Sequence, residues 1–225
     1  INPIKIVRKK IFFSFLSKIV LITCELFIKF SYIIIILFIY YIIMKKILVI
    51  AAHPDDEVLG CGGALVKHKN SKDEISLVFL SDGFTSRKDG KNRSKQLNLV
   101  KKYLKVKNLF LLNFKDNQLD QEPLLKIIKN LETIIKRIKP EIIYTHSDKD
   151  LNIDHQITSK ATVTASRLFK NKYIKKILFF EILSSTEQSS SSGNYFSPNY
   201  FIDITTVIKD KIKLCTFYKN EFIHT

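Results

Sequence analysis

From residue 44 onward, short apolar runs alternate with amphipathic segments, and this alternation constrains the fold more than any other feature. Apolar runs rich in β-branched residues predict strands at 46–52, 75–80, 108–113, 141–145 and 176–180. Periodic segments predict helices at 59–69, 93–104, 122–139, 155–169 and 207–218. Such alternation is typical of βαβ units. We therefore expect residues 44–225 to form a single Rossmann-like α/β domain, with a mainly parallel sheet and helices on both faces.

Two segments carry especially clear local signals. In 122–139, Leu and Ile recur three and four residues apart, as on one face of a helix, and Pro140 ends the pattern. The segment 184–193 is rich in serine and low in complexity, and it predicts a polar loop.

The composition fits one globular domain in a reducing compartment. The 225 residues are 46% hydrophobic and 26% charged, which supports one sizeable core and excludes disordered and collagen-like chains. Cys24, Cys61 and Cys215 are far apart, so they predict neither a disulfide framework nor a thiolate zinc site. We therefore expect a cytoplasmic protein.

The net charge of +16 raises the question of a nucleic-acid partner, because clustered basic residues neutralise phosphates. The lysines are scattered over every predicted surface, and the sequence has no basic helix with interleaved aromatic residues. Abundant Ile, Lys, Asn, Phe and Tyr are typical of AT-rich coding sequence. We therefore expect no nucleic-acid partner.

Residues 1–43 differ from the rest of the chain and have two interpretations. Apolar sequence follows a basic start, and residues 30–44 are uncharged, as in a membrane anchor, although a bilayer span needs about 20 apolar residues. Alternatively, the native protein begins at Met44, the only methionine, which immediately precedes the first predicted strand. We favour the second interpretation, in which residues 1–43 come from upstream sequence. Under the first, the protein is membrane-anchored.

The other terminus carries a separate expectation. The sequence ends at Thr225, shortly after the last predicted helix, which ends at residue 218. We therefore expect the domain to be truncated at its C-terminus.

A polar turn, Ala52-His-Pro-Asp-Asp-Glu57, follows the first predicted strand. Ligands of parallel α/β sheets collect at the carboxyl ends of strands, so these side chains would face a substrate. His53 and Asp56 are suitable zinc ligands, and a catalytic zinc takes a third protein ligand. Among the five histidines, His146 and His155 are the candidates, because both lie at the same predicted edge of the sheet. Asp154 is either the N-cap of the following helix or an orienting partner.

These residues resemble the LmbE-like, or PIG-L, family of zinc-dependent de-N-acetylases. The turn from Ala52 to Glu57 matches the hallmark of that family, and the Asp154-His155 pair matches its second motif. The resemblance extends over residues 44–225 through weaker matches at 81–83, 113–117 and 218–221. It implies a zinc ion held by His53, Asp56 and His155, with Asp55 as the general base. It also implies that Arg87 and Asp116 bind the substrate through sugar hydroxyls or an attached phosphate.

One position departs from the family pattern. Many relatives have a histidine three residues before the last ligand, where this chain has Asn152. An amide can donate a hydrogen bond to an oxyanion, but it cannot protonate an amine. Either Asn152 or His146 is expected to take the oxyanion-stabilising role.

The sequence thus predicts a zinc-dependent N-deacetylase. Its expected substrate is an N-acetylglucosamine-type glycan, either a small molecule or a lipid-linked sugar, and its products are acetate and a free amino sugar. A different class of protein stays open as an alternative. That alternative is a membrane-anchored carbohydrate-binding protein whose metal site is structural or vestigial. The sequence does not determine the oligomeric state.

Overall fold

The computed structural model describes residues 23, 26–27, 29–35, 44–81, 83, 93–167, 169–183, 185–192 and 195–218. Five parallel strands form one sheet in the order β3-β2-β1-β4-β5. Their bounds are β1 Lys46–Ala51, β2 Glu74–Ser81, β3 Asn108–Phe114, β4 Ile142–His146 and β5 Lys176–Phe180. This is a doubly wound sheet, in which the strand order reverses between β1 and β4.

Helices cover both faces of this sheet. They are α1 Asp56–Asn70, α2 Arg93–Leu104, α3 Leu124–Ile138, α4 Ile153–Ala165 and α5 Ile208–Phe217. The central strand β1 places Ile47 and Val49 in the core beneath α1, α2 and α5. It places Leu48 and Ile50 in the second core, beneath α3 and α4. Alternate residues of β1 are thus buried on opposite faces, which explains why its sequence is continuously apolar.

The predicted α/β fold is confirmed, and the differences lie at element ends. Helix α1 begins three residues earlier than predicted, because the carbonyl oxygen of Asp55 accepts hydrogen bonds from the amides of Val58 and Leu59, both at 3.0 Å. Helix α4 ends at Ala165 instead of residue 169, because the Asn171 side chain donates to the Ala165 carbonyl oxygen at 3.1 Å. The predicted loop at 184–193 contains the 3₁₀ helix Glu187–Ser192.

Residues 1–44 group as a compact unit separate from residues 45–225. Residues 29–35 of this unit are helical, and large apolar side chains such as Phe27 and Phe30 are exposed. Among the described residues, no helix has both the length and the hydrophobicity needed to cross a bilayer. Residues 36–43 of the predicted anchor lie outside the described residues.

Candidate metal centre

The candidate site lies where the strand order reverses. His53 follows β1 by two residues, and His146 is the last residue of β4, which is the neighbour of β1. Helix α4, which follows β4, contributes His155 from its first turn. In doubly wound sheets the crevice outside these strand ends is where ligands bind. The topology therefore brings together residues that are about a hundred positions apart in sequence.

Three donor atoms converge in this crevice. His155 Nε2 lies 3.3 Å from His53 Nδ1 and 3.4 Å from Asp56 Oδ1, and His53 Nδ1 lies 3.4 Å from the Asp56 carboxylate. Ligands at the corners of a tetrahedral zinc site, with bonds of about 2.0–2.1 Å, are about 3.3–3.4 Å apart. His53, Asp56 and His155 thus have the spacing and the donor chemistry that a tetrahedral metal requires.

In both histidines, the ring nitrogen that does not face the other donor atoms contacts a carboxylate. His53 Nε2, on the far side of the ring from the other donor atoms, lies 3.1 Å from both Asp116 Oδ1 and Asp154 Oδ2. His155 Nδ1 lies 3.1 Å from Asp150 Oδ2. Histidines that bind metals usually give their second nitrogen to such a partner, which fixes the tautomer and the ring orientation. The arrangement around both rings therefore matches that of metal-binding histidines.

Asp154 is held as an orienting partner by the backbone. Its carboxylate accepts hydrogen bonds from the amides of Asn117 at 2.9 Å and Leu119 at 3.0 Å. The N-cap of α4 is instead Asn152, whose side-chain oxygen accepts from the Asp154 amide at 2.8 Å. Of the two roles predicted for Asp154, the N-cap role is therefore wrong, and the contact with His53 Nε2 favours the orienting role.

The electrostatics of the cluster favour a bound cation. Burial alone would lower the pKa of His53, but contacts with Asp116, Asp154 and Asp56 raise it well above its usual value. Burial alone would raise the pKa of Asp56, but the imidazoles of His155 and His146 hold it well below its usual value. Four buried aspartates contact the two histidines, namely Asp56, Asp116, Asp150 and Asp154. A divalent cation would compensate this concentration of buried negative charge.

Asp55 occupies a strained position next to the donor atoms. Its φ is 136° and its ψ is −33°, a conformation that non-glycine residues rarely adopt. The Asp55 amide donates to Glu57 Oε2 at 2.9 Å. Backbone strain of this kind costs about 1–3 kcal/mol and persists where surrounding contacts enforce it. The turn thus directs two adjacent carboxylates to different partners: Asp56 to the histidines and Asp55 to Arg93.

Arg93 is the partner of Asp55. Its guanidinium donates to the Pro54 carbonyl oxygen at 3.2 Å and lies 3.5 Å from Asp55 Oδ2, and both side chains are buried. Gly83, with φ of 63°, packs against this pair, and a Cβ there would lie 2.9 Å from both Arg93 Nη1 and Pro54 Cδ. The glycine of the 81–83 motif is thus explained by its backbone conformation and by the close approach of Arg93.

Glu57 supports the same turn from inside the core. It is completely buried, and its Oε1 accepts from the Tyr218 hydroxyl at 2.9 Å while Oε2 accepts from the Asp55 amide. Burial raises the pKa of Glu57 to about 8. Tyr218 is also completely buried and follows α5 directly. The C-terminal helix therefore connects to the turn through one buried carboxyl group.

A comparison with known protein families identifies this arrangement. The family model described as PIG-L, GlcNAc-PI de-N-acetylase, matches residues 48–166, from β1 to the end of α4. The chain belongs to the PIG-L family. The resemblance noted in the sequence is therefore confirmed.

Two relatives and one solved structure show the similarity of this chain to known proteins, in each case at low sequence identity. A diacetylchitobiose deacetylase of Thermococcus kodakarensis is 24% identical over 78% of this chain and 69% of its own length. An uncharacterized deacetylase of Escherichia coli is 33% identical over 61% of this chain and 74% of its own length. The crystal structure of a conserved Thermus thermophilus protein superimposes with a TM-score of 0.64 at 24% identity, covering 78% of this chain and 79% of that one.

Two of the predicted catalytic residues have distinct environments within this PIG-L fold. His146 is completely buried, its Nε2 accepts from the Ala52 amide at 3.0 Å, and burial together with the nearby His155 lowers its pKa to about 4. Asn152 is partly exposed, and its Oδ1 is occupied by the α4 cap. The side-chain nitrogen of Asn152, Nδ2, makes no hydrogen bond to any residue that the structure describes. His146 Nδ1 is likewise without a hydrogen-bond partner among the described residues, so each of the two side chains keeps one nitrogen that could donate.

The structure describes only one of the two residues that were predicted to bind the substrate. Arg87 lies outside the described residues. Asp116 is buried against His53 Nε2, so it contacts a candidate ligand of the metal. This contact favours an orienting role for Asp116 over the predicted contact with a sugar hydroxyl.

Sequence reasoning missed Arg93, Asp150 and Tyr218 as parts of the PIG-L site. Arg93 carried a signal, because an arginine in the first turn of a helix opposes the helix dipole and therefore needs another partner. Tyr218 lies in the weak family match at 218–221, which gave it no role, and Asp150 carried no signal, since it makes its contact only through the fold.

A cavity of about 520 Å³ lies beside the candidate metal centre of this PIG-L domain, between α1, β5 and residues 195–204. Phe180 lines it and packs edge-on against His146, with ring centroids 4.7 Å apart. None of the three candidate metal ligands lines it. The cavity is therefore distinct from the cluster of candidate ligands.

Proposed function

We propose that this protein is a zinc-dependent deacetylase that removes the N-acetyl group from an N-acetylglucosamine-type sugar. The observation that carries the proposal is the convergence of His53 Nδ1, Asp56 Oδ1 and His155 Nε2, with the buried carboxylate of Asp55 in the adjacent position. Family membership supports the reaction class, and the relative that acts on diacetylchitobiose supports the sugar class.

In this proposal three side chains bind the metal and three others orient the histidine ligands. His53, Asp56 and His155 would hold the metal, while Asp116, Asp154 and Asp150 orient the two imidazoles. A zinc ion in such a site polarises an amide carbonyl and lowers the pKa of water to about 7.

Asp55 acts as the general base. It takes a proton from the water that attacks the acetyl carbonyl carbon, and Arg93 holds its carboxylate and the Pro54 carbonyl in place. Asn152 donates from its amide nitrogen to the oxygen that becomes negative. When the carbon–nitrogen bond breaks, Asp55 returns the proton to the leaving amine, so the products are acetate and an amino sugar. His146 positions the end of β1 through the Ala52 amide.

Acetate release provides the test. We expect the purified protein to release acetate from N,N′-diacetylchitobiose or from a simple N-acetylglucosaminide. A chelator should abolish this release, and zinc should restore it. A protein that carries one metal ion per chain but releases acetate from none of a panel of N-acetylated sugars would contradict the proposal.

A further inference from the structure

Two residues of the serine-rich segment, Ser185 and Thr186, lie against the candidate metal centre. Ser185 Oγ lies 3.5 Å from His155 Nδ1, at the limit of a hydrogen bond. The next residue, Thr186, is only 1% exposed, and its hydroxyl donates to Asp150 Oδ2 at 2.6 Å. A segment that looks like a solvated loop in sequence thus places a buried hydroxyl behind a candidate metal ligand.

The hydrogen bonds of the Thr186 hydroxyl define which of them it accepts and which it donates. Its oxygen accepts from the Ile182 amide at 2.8 Å, so its proton is available for the Asp150 carboxylate, which acts only as an acceptor. Asp150 Oδ2 also faces His155 Nδ1 at 3.1 Å, and Asp150 Oδ1 accepts from the Asn152 amide at 2.9 Å. One continuous chain of hydrogen bonds therefore runs from Ile182 through Thr186 and Asp150 to His155.

The far end of this chain is anchored in the protein core. Ile182 is 2% exposed and belongs to the hydrophobic cluster beneath α1 and α5. The Ile182 carbonyl oxygen accepts from the Thr186 amide at 2.8 Å, which closes a tight turn. Ser189 donates from its hydroxyl to the Thr186 carbonyl oxygen at 2.8 Å. Thr186 is thus fixed by both its backbone and its side chain.

We propose that Thr186 is a positioning residue that holds the imidazole of His155 in its metal-binding orientation through Asp150. The inference rests on the proposed role of His155 as a ligand. His155 Nε2 faces His53 and Asp56 while Nδ1 of the same ring lies against Asp150, so the Asp150 contact fixes the orientation in which Nε2 meets the other two donors. Removal of the Thr186 hydroxyl takes one of the two donors from Asp150 Oδ2 and frees that carboxylate to rotate.

Zinc affinity of the full chain is the measurement that tests this role. We expect Thr186→Val to raise the zinc dissociation constant, measured by competition with a chromophoric chelator, by about tenfold, since partners of metal ligands typically contribute 10–100-fold. Thr186→Ser keeps the hydroxyl and should stay within about twofold of the wild type. The cobalt(II) absorption spectrum should change in Thr186→Val and return in Thr186→Ser.

A matched control separates positioning from general destabilisation. Thr162 is completely buried in α4, and its hydroxyl accepts from Thr145 at 3.3 Å, away from Asp150. Thr162→Val removes a buried hydroxyl from the same helix as His155 and should leave zinc affinity and the cobalt spectrum unchanged. Thermal unfolding of the metal-free variants shows whether each one folds. If Thr186→Val does not fold, Thr186→Ala replaces it.

Three results would overturn the inference. Wild-type zinc affinity in folded Thr186→Val or Thr186→Ala would show that the hydroxyl does not act on the ligand. An equal loss of affinity in Thr162→Val would show that the effect is general. A loss of zinc affinity in Thr186→Ser as large as in Thr186→Val would show that the affinity does not depend on the hydroxyl. His155→Ala that keeps its zinc would instead refute the ligand assignment itself, so the two failures are distinguishable.

Discussion

Arg93 and Asp55 form a buried pair in which Arg93 Nη2 lies 3.5 Å from Asp55 Oδ2. The same guanidinium donates to the Pro54 carbonyl oxygen, so it fixes both the backbone and the side chain of the proposed base. Only a planar, forked cation can serve both positions at once. The pair joins the start of α2 to the turn that follows β1, which are distant in sequence.

We predict that Arg93→Met lowers kcat for acetate release by about 10- to 100-fold, because small displacements of a reacting group have effects of that size. The metal content should not change, since Arg93 contacts none of the three ligands in the structure as described. The exposed Arg137 provides a matched control, and Arg137→Met should keep wild-type kcat. Loss of the metal in Arg93→Met would contradict the assigned role.

The contact between Glu57 and Tyr218 predicts effects on stability. Glu57→Ala leaves two buried donors, the Asp55 amide and the Tyr218 hydroxyl, without an acceptor, and we expect it to lower the free energy of unfolding by about 2–4 kcal/mol. Tyr218→Phe removes one hydrogen bond and should cost about 1 kcal/mol. Glu57→Gln keeps an acceptor for the Asp55 amide and should lie closer to the wild type. Chemical denaturation of the three variants measures these differences, and equal stability of Glu57→Ala and Glu57→Gln would refute the prediction.

A fragment from Met44 to Thr225 should fold without the preceding residues. Every residue of both hydrophobic clusters lies between Ile47 and Tyr218, so the fragment contains the complete described core. We expect a cooperative unfolding transition and one bound zinc per chain. Aggregation of the fragment, with a full chain that unfolds cooperatively under the same conditions, would show that residues 1–43 support the fold.

Features of this protein that depend on local interactions could be predicted from the sequence, and features that depend on contacts between distant residues could not. Strands and helices were predictable because their apolar periodicity is local, and the strand-end position of His53 and His146 followed from the parallel topology. Contacts such as Tyr218 with Glu57, 161 residues apart, have no local pattern. The sequence leaves the role of Asp154 open because Asn152 and Asp154 are both good caps, and the choice depends on the backbone amides that hold Asp154.

The ligand set predicts the metal content of histidine variants. His53→Ala and His155→Ala should each lose most of the bound zinc, because each removes one of three protein donors. His68 offers a matched control, since both of its ring nitrogens are occupied by Asp73 and Tyr144 away from the site. His68→Ala should retain its zinc by elemental analysis. Full zinc occupancy in His155→Ala would point to His146 as the third ligand.

The adjacent acids Asp55 and Asp56 should separate catalysis from metal binding. Asp55→Asn preserves the shape of the side chain and the turn, but its amide cannot accept a proton, and a general base contributes about 10²- to 10⁴-fold in rate. We therefore expect Asp55→Asn to keep its zinc while kcat for acetate release falls by at least about 10².

Asp56→Asn should show the opposite pattern, because Asp56 Oδ1 faces His155 Nε2 and Oδ2 accepts from the His53 amide at 2.8 Å. An amide in that place is a poorer ligand for zinc, so zinc should dissociate, and added zinc should restore part of the rate. Elemental analysis and acetate release on the same preparations compare the two variants. If Asp55→Asn loses its zinc, or if Asp56→Asn keeps zinc and loses only rate, the two carboxylates have exchanged roles.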